Sequence, residues 1–331
     1  MKAPSSNTHF IILAGLLGSG KTTLLEQLLA NNDLAADTAI IINEAGAVNI
    51  DGSVLMETDN GLKIETLSNG CVCCSLSNSL TFTIEELFTT RAKMDMPPFQ
   101  RIVLECSGLS LPGQVMRSLA DLAHLKMSVS IVCTYDCSRP PLIEEQFDVV
   151  TSQLVVANTV VFTKLDIATE DQIKAALKLV GCISPLATII NQPDPIVRSQ
   201  DVFLVPAQSP KFTVPLARYI ADQRIAHPRI RVHLASLDDD IEIEDVMDWL
   251  DNVSGVLGER LLRSKALVHS NGGIALLQSV GTTFAAPRAL REQPRQTNLA
   301  IIIAKDCKLE ELDEIPRTFG ALWISDRNLP A

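Results

Sequence analysis

The stretch FIILAGLLGSGKTTLL, residues 10–25, decides the fold. Residues 10–14 are an apolar run typical of a buried strand, and a helical pattern begins at Lys21. Glycines between them let backbone N–H groups turn inward on phosphate oxygens, and the following helix adds the positive end of its dipole. The stretch therefore predicts a strand, a phosphate-binding loop and a helix in succession.

The loop fits the spacing Gly-x4-Gly-Lys-Thr, in which each side chain has a separate task. Lys21 would reach the β and γ phosphates, and the hydroxyl of Thr22 would bind Mg²⁺. The alternative is a glycine-rich turn that binds no ligand. The predicted nucleotide contacts in this segment are Gly15, Gly18, Ser19, Gly20, Lys21, Thr22 and Thr23.

Apolar, β-branched runs alternate with helical patterns through the first two hundred or so residues. This alternation predicts an α/β domain whose mostly parallel sheet is covered on both faces. The predicted strands are residues 10–14, 39–42, 64–67, 102–104, 128–133 and 159–162. The predicted helices are residues 21–30, 79–93, 113–123, 141–150 and 170–180.

A different pattern begins near Ile230, after a segment that contains Pro210, Pro215 and Pro228. Short strands at 230–234, 266–269, 274–277 and 299–304, with helices at 242–252 and after Lys308, predict a smaller α+β domain. We therefore divide the chain into a phosphate-loop domain at 1–208, a linker at 209–228 and an α+β domain at 229–331.

Charge and hydropathy exclude several classes of protein. The 28 Lys and Arg against 39 Asp and Glu give a net charge of −11, without the basic patch of a nucleic-acid or anionic-membrane binder. No run has the roughly 18 apolar residues of a membrane span, and residues 10–18 suit a strand and loop better than a signal peptide. We expect a cytoplasmic protein with reduced thiols.

Glu105 follows a predicted strand and begins the segment Glu105-Cys106-Ser107-Gly108. A carboxylate at this strand end in phosphate-loop enzymes completes the Mg²⁺ shell or orients the attacking water, and the glycine lets a loop sense the γ phosphate. Glu105 is thus a candidate Mg²⁺ ligand and catalytic residue. The alternative is an acidic loop that caps a helix.

The sequence Thr163-Lys164-Leu165-Asp166 has the spacing of a guanine-binding segment. Asp166 would accept two hydrogen bonds from the guanine edge, while the stem of Lys164 lies against the ring. ATP lacks those donors, so Asp166 favours GTP. Thr163 stands where asparagine is usual, and a hydroxyl does not reproduce an amide's donor and acceptor, so we expect reduced guanine affinity or selectivity.

Three thiols, Cys71, Cys73 and Cys74, follow the predicted strand at 64–67. Three thiolates suit Zn²⁺ or Cu⁺ and leave a tetrahedral ion one open position, which fits a donor better than a permanent structural site. A redox pair and buried packing thiols are the alternatives. Isolated cysteines in or beside apolar segments, namely Cys106, Cys133, Cys182 and Cys307, are expected to pack in the core.

Together these segments resemble the CobW-like branch of the HypB/UreG/CobW GTPases. The resemblance covers nearly the whole chain, including residues 262–269 and 288–303, which are similar to the CobW C-terminal domain. It rests on the phosphate loop and on four further segments: Asn43-Glu44-Ala45-Gly46, Ser68-Asn69-Gly70-Cys71-Val72-Cys73-Cys74, Glu105-Cys106-Ser107-Gly108-Leu109 and Thr163-Lys164-Leu165-Asp166.

The resemblance implies a slow GTPase that acts as a metallochaperone or metal insertase. It implies that Cys71, Cys73 and Cys74 bind Zn²⁺ or a related ion and that the binding and hydrolysis of GTP, with Mg²⁺ as cofactor, change the release of this ion to a client metalloprotein or metalloenzyme. Asp51 is a candidate switch carboxylate, its alternative being a solvated turn. A nucleotide-dependent homodimer suits this class of GTPase by analogy.

Two departures from the family pattern bear on these expectations. Ala47 stands where the family has a second acidic residue, and the chain has no His-rich stretch. Two other functions remain open: a nucleotide-driven activator of a cobalamin- or metal-dependent enzyme with only a structural metal, and a non-catalytic, nucleotide-sensing zinc-binding module.

Overall fold

The computed structural model describes two compact units, one built around each of two β-sheets. Within the described ranges, no helix is long and apolar enough to cross a membrane. The described residues are 8–35, 37–44, 56–57, 63–68, 75–139, 144–185, 187–203, 229–239, 241–270, 273–290 and 298–324.

The first unit contains an eight-stranded sheet with the order β3-β4-β2-β5-β1-β6-β7-β8. All neighbouring strands are parallel except β3 and β4. Its strands are β1 (His9–Gly15), β2 (Thr38–Glu44), β3 (Met56–Glu57), β4 (Lys63–Ser68), β5 (Arg101–Glu105), β6 (Ser128–Asp136), β7 (Thr159–Thr163) and β8 (Thr188–Ile190).

Helices connect these strands, as parallel pairing requires. They are α1 (Lys21–Leu29), α2 (Asn32–Ala35), α3 (Ser75–Lys93), α4 (Pro112–Ser118), a 3-10 helix (Ala120–Leu125), α5 (Glu144–Val156), α6 (Glu170–Ile183) and α7 (Pro195–Phe203). The predicted parallel α/β architecture is confirmed, and each strand predicted in this unit lies inside an observed one. Several predicted helix bounds were wrong. The helix expected at 113–123 is two shorter elements, and α5, expected to end at residue 150, extends to Val156.

The core of the first unit explains why the strand before the phosphate loop is wholly apolar. Every residue from Phe10 to Gly15 is buried, because helices cover both faces of the sheet at its centre. Ile11 and Leu13 pack in one buried cluster with Leu24 and Leu28 of α1. This packing fixes the start of α1 against the end of β1.

The strand register brings a set of polar residues and glycines to one edge of this sheet. The carboxyl ends of parallel strands meet at the same edge, where ligands of open α/β sheets bind. The registered pairs there are Leu13 with Glu105, Gly15 with Thr134, and Asp136 with Thr163.

The second unit contains a seven-stranded antiparallel sheet with the order β12-β11-β10-β14-β9-β15, and β13 also pairs with β11. Its elements are β9 (Ile230–Leu237), α8 (Ile243–Leu257), a 3-10 helix (Gly258–Arg260), β10 (Leu261–Ser270), β11 (Gly273–Val280), β12 (Thr283–Phe284), β13 (Arg288–Leu290), β14 (Leu299–Lys305), α9 (Leu309–Asp313) and β15 (Ala321–Trp323). The predicted α+β class is confirmed.

Helix α8 covers one face of this second sheet. Val246, Trp249, Leu250 and Val253 recur at the three- and four-residue spacing of a helix, and each is buried in the core of the unit. The ring of Trp249 meets the ring of Phe319 edge to face at 5.6 Å. The amphipathic pattern in the sequence thus corresponds to a real buried face, and the helix continues to Leu257.

Candidate nucleotide-binding site

The phosphate loop is held at the end of β1 by contacts that only glycine allows at position 15. Gly15 has φ +138°, a left-handed value that favours glycine. A Cβ there would lie only 2.6 Å from Ser19 Oγ and would overlap Thr134. The Ser19 and Thr134 hydroxyls are themselves 2.6 Å apart and hydrogen-bonded. The loop is therefore closed onto the end of β6.

Lys21 begins α1 with its side chain folded back over the loop. Its ammonium donates to the carbonyl of Gly15 at 2.9 Å and to the carbonyl of Leu16 at 3.1 Å. Burial lowers the pKa of Lys21 below its ordinary value, while the Glu105 carboxylate opposes that shift. An ammonium in such a place gains from an additional anionic partner.

Thr22 and Glu105 bring two oxygen donors together beside this lysine. Thr22 Oγ1 donates to Glu105 Oε1 at 3.0 Å, although the residues are far apart in sequence. A hydroxyl and a carboxylate are hard oxygen ligands of the kind Mg²⁺ prefers. This donor set fits the Mg²⁺ ion that the phosphate-loop fold implies.

The loop that follows β5 presses directly on the phosphate loop. A Cβ at Gly108 would lie 3.0 Å from Leu17 Cα and would overlap the Leu17 nitrogen. From the other side, Gln153 of α5 donates its amide to the carbonyls of Gly108 at 3.1 Å and Ser110 at 3.0 Å. Gln153 is buried, so it fixes the path of this loop.

Thr163 has a role at the phosphate loop that its position in the sequence did not suggest. Its hydroxyl lies 2.7 Å from the Ser19 carbonyl and 3.1 Å from the Tyr135 carbonyl. The hydroxyl has one hydrogen to donate, and its residue is buried. Thr163 thus ties the phosphate loop to the ends of β6 and β7.

Asp136, at the end of β6, joins two cationic side chains at the same edge. Its Oδ2 is 2.7 Å from Lys164 Nζ and 3.1 Å from Arg139 Nε. Burial alone would raise the pKa of Asp136, but hydrogen bonds from Lys164 and Ser138 outweigh it, so the pKa lies below its ordinary value. The carboxylate is therefore ionised under physiological conditions.

Asp166 is exposed at the start of the loop beyond β7. Its charge acts on Arg198 of α7: burial lowers the pKa of Arg198, and the carboxylates of Asp166 and Asp194 oppose this shift. Arg198 Nη1 donates to the Gln192 carbonyl at 3.1 Å, in the segment between β8 and α7. That segment and the Asp166 loop are electrostatically linked.

Of the predicted nucleotide-site residues, the structure describes Gly15, Gly18, Ser19, Gly20, Lys21, Thr22, Thr23, Glu105, Thr163, Lys164 and Asp166. It links Lys21, Thr22 and Glu105, and separately Ser19 and Thr163, by the contacts given above. The side chains of Thr22, Thr23 and Asp166 are exposed. Asp51, Ala47 and the three thiols Cys71, Cys73 and Cys74 lie outside the described residues.

The cysteines Cys106 and Cys133 at this edge pack in the core, as expected. Both are buried, and burial raises the pKa of Cys106 to about 12 and that of Cys133 to about 12. Cys307 is also buried, as expected, but the core position expected for Cys182 was wrong, since Cys182 is half-buried. In the part of the chain that the structure describes, no group of three or more His, Cys, Asp and Glu is placed to hold a metal ion.

Five residues at this edge were not identified from the sequence: Thr134, Asp136, Arg139, Gln153 and Arg198. Asp136 carried a usable signal, since it is an acidic residue that ends a largely apolar strand, as Glu105 does. The other four carried none, because their roles depend on packing between elements distant in sequence.

Comparisons with known proteins extend over both units. The sequence profile described as "CobW/HypB/UreG, nucleotide-binding domain" matches residues 9–191. The profile described as "Cobalamin synthesis protein cobW C-terminal domain" matches residues 230–318.

Two curated relatives illustrate the range of similarity. The zinc chaperone YjiA of Escherichia coli is 28% identical over 283 residues, which span 83% of this chain and 86% of YjiA. The zinc-regulated GTPase metalloprotein activator 1 of Dictyostelium discoideum is 24% identical over 232 residues, which span 58% of this chain and 47% of that protein.

A crystal structure of the Zn(II)-bound YjiA GTPase from E. coli has the same fold, with a TM-score of 0.65. The two proteins are 22% identical, over 93% of this chain and 97% of that one. The nucleotide-binding profile alone matches more than half of this chain, and its match includes the phosphate loop, Glu105 and residues 163–166. The chain belongs to the CobW/HypB/UreG family and carries that family's nucleotide-binding domain, followed by a CobW C-terminal domain.

Proposed function

We propose that this protein is a GTP-hydrolysing metallochaperone that binds Zn²⁺ or a related ion at Cys71, Cys73 and Cys74 and releases it to a client metalloprotein according to its nucleotide state. Two relatives support this function, one named as a zinc chaperone and one as a zinc-regulated GTPase metalloprotein activator. The metal ion is cargo, and GTP is the substrate of the hydrolysis.

One observation carries the proposal most strongly: Thr22 and Glu105 meet at 3.0 Å beside the buried ammonium of Lys21. Thr22 and Glu105 would hold Mg²⁺, which neutralises charge on the β and γ phosphates when bound. Alternatively, Glu105 would orient the attacking water. Lys21 would exchange the carbonyls of Gly15 and Leu16 for phosphate oxygens, gaining the anionic partner that its burial favours.

Guanine binding is assigned to the segment after β7. Lys164 has φ +55°, which turns the chain sharply at the end of the strand. The turn presents the exposed carboxylate of Asp166 to solvent, where it would accept the two hydrogen bonds of a guanine edge. Thr163 acts in this segment by holding the phosphate loop, and a base would be selected by Asp166.

The sheet brings the strand that precedes the thiols to the same edge as the phosphate loop. Ser68 ends β4 at the same edge where Gly15 ends β1, and Cys71 follows shortly after in the sequence. The order β4-β2-β5-β1 separates those ends by three strand spacings, about 14 Å. The loop after β5, which contacts Leu17, lies at the same edge. In this proposal, a γ phosphate that moves this loop would change metal binding at the thiols, which lie outside the described residues.

The test is to titrate Zn²⁺ into the protein with GDP and with a non-hydrolysable GTP analogue. Coupling between two ligands is reciprocal, so the Zn²⁺ affinity should differ between the nucleotides by at least fivefold, and Zn²⁺ should change their relative affinities by the same factor. Identical Zn²⁺ affinities in the two nucleotide states would exclude the coupling.

Two variants test whether Cys71, Cys73 and Cys74 bind the Zn²⁺ ion. Replacing Cys71, Cys73 and Cys74 by Ser should abolish tight Zn²⁺ binding while nucleotide binding persists. The matched control is Cys182→Ser, a half-buried cysteine outside the cluster, which should bind Zn²⁺ as the wild type does. Equal loss in both variants would mean that the cluster is not the cargo site.

A further inference from the structure

Arg139 is a cationic residue at the candidate site that the proposed mechanism does not yet use. It lies three residues beyond the end of β6, and its side chain is 48% exposed. Its Nε is 3.1 Å from Asp136 Oδ2, so the buried carboxylate anchors the inner edge of the guanidinium. The outer edge extends toward the phosphate loop: a Cβ at Gly18 would lie 2.9 Å from Arg139 Nη2.

We propose that Arg139 binds the phosphate chain of the bound nucleotide, as a second cationic contact at the Gly18 end of the loop. Lys21 serves the opposite end, where its ammonium lies against Gly15 and Leu16. A guanidinium has five N–H donors in a fixed plane and remains charged at every physiological pH. With Nε directed to Asp136, the Nη groups would bind the phosphate oxygens.

The bond to Asp136 holds the guanidinium of Arg139 in place before a nucleotide binds, although the side chain of Arg139 is half-exposed. A long side chain loses rotamer entropy when it binds a ligand, and an anchor at Nε reduces that loss. The same carboxylate binds Lys164 at 2.7 Å, so Asp136 links the guanine-binding segment with the Gly18 end of the loop. Asp136 is a positioning residue in this arrangement, and Arg139 is the group that touches the nucleotide.

Binding of GDP, GTP and guanosine to Arg139→Gln tests the proposal by calorimetry, with competition against labelled GDP for the weak nucleoside. The affinities for GDP and GTP should each fall about tenfold, whereas that for guanosine should be unchanged, because guanosine has no phosphate. The loss should shrink at high salt, since salt screens a partly exposed charge.

Arg117→Gln is the matched control, because Arg117 is an exposed arginine on α4 and its removal changes the net charge equally. It should bind all three ligands as the wild type does. Arg139→Lys should recover part of the affinity, since it restores the charge without the fixed plane of donors. The unfolding midpoint of ligand-free Arg139→Gln should stay within about 2 °C of the wild type, because Lys164 still pairs with the buried carboxylate of Asp136.

Unchanged GDP binding by Arg139→Gln would overturn the inference. Tighter GDP binding would also overturn it, because it would mean that Arg139 blocks the empty loop. Equal losses for guanosine and GDP would also overturn it, because they would indicate a contact to the base or a general disturbance of the site. The inference rests on the proposed nucleotide function, and the experiment distinguishes the failure of the function from the failure of the inference. Wild-type protein that binds neither GDP nor GTP would refute the function, whereas wild-type binding without a change in the variant would refute only the role of Arg139.

Discussion

At the residue scale, Thr163 shows how a departure from a motif can have a structural reason. The sequence predicts weaker guanine selectivity at this position, because a hydroxyl lacks the paired donor and acceptor of an amide. The structure gives the hydroxyl a different task, since it bonds the carbonyl of Ser19 in the phosphate loop. Selectivity itself stays a prediction, but Thr163 contributes to the shape of the loop.

Thr163→Val should therefore weaken both the fold and the binding of nucleotide. Valine has nearly the same shape, but it leaves the carbonyls of Ser19 and Tyr135 without this donor in a buried place. The expected loss is about 1 to 3 kcal/mol in the free energy of unfolding, with weaker GDP binding. Denaturant unfolding and GDP titration measure the two effects.

Thr163→Ser and Thr159→Val are the controls for this change. The first keeps the hydroxyl and should retain most of the stability. The second replaces a half-buried threonine at the start of the same strand and should have a small effect. If Thr163→Val matched the wild type in both measurements, the bond to Ser19 would have no energetic role.

At the scale of elements, α5 controls a loop that belongs to a different part of the chain. Gln153 donates both hydrogens of its amide to the loop after β5, at Gly108 and Ser110. That loop follows Glu105 and contacts Leu17 of the phosphate loop. The helix thereby restrains the segment expected to respond to the γ phosphate.

Gln153→Ala should release this loop and reduce hydrolysis more than nucleotide binding. The substitution removes two hydrogen bonds and leaves two carbonyls unpaired, which should lower the free energy of unfolding by about 2 kcal/mol. We expect kcat for GTP to fall about tenfold while the affinity for GDP changes less than threefold. Single-turnover hydrolysis and GDP titration provide the comparison.

The neighbouring Ser152→Ala serves as the control, since Ser152 is half-buried on the same helix. It should hydrolyse GTP at the wild-type rate. A loss of GDP affinity as large as the loss of kcat in Gln153→Ala would show that Gln153 supports the whole site rather than the loop.

The helices and strands differ in how well the sequence predicts them. The strands of the first sheet are continuous apolar runs because both faces are covered, so they could be predicted. The short strand β8 and the short helix α2 escaped prediction, because segments of three and four residues carry too little periodicity to recognise. In the second unit, the two-residue strand β12 and the exposed strand β13 escaped for the same reason.

At the scale of the whole molecule, the stability of the fold should depend on the protonation of His9. Burial, with a further contribution from Arg101, lowers the pKa of His9 from 6.5 to about 4. Its Nε2 is 2.7 Å from the hydroxyl of Ser130 on the neighbouring strand. In the range between the two pKa values, the unfolded chain binds a proton that the folded chain excludes. Stability from this group is therefore complete above pH 6.5 and falls as the pH drops toward 4.

Between pH 7.5 and pH 5 the wild type should lose about 2 kcal/mol through His9 alone. His9→Asn should reduce the loss of unfolding free energy over this range by about that amount, measured by denaturant titration at both pH values. His124→Asn replaces an exposed histidine and should leave the wild-type dependence unchanged. An identical pH dependence in wild type and His9→Asn would contradict the assignment.

The phosphate loop, the parallel sheet and the second α+β unit could be predicted because local sequence encodes them: glycine spacing, apolar runs and helical periodicity. The connections of Thr163 to Ser19 and of Gln153 to Gly108 could not, because they join segments that are distant in the chain. Their geometry depends on how the strands are ordered in the sheet. The same limit applied to Arg139, whose neighbour Gly18 belongs to another loop.

The shared carboxylate of Asp136 has a consequence for the interpretation of mutants. Because Lys164 and Arg139 bind the same oxygen, replacing either one leaves the other bound to the carboxylate, and their effects on GDP affinity should not add. A loss of GDP affinity measured at Lys164 would therefore include a coupling that it shares with Arg139. A double-mutant cycle measures this coupling, whereas guanosine reports the contact to the base by itself.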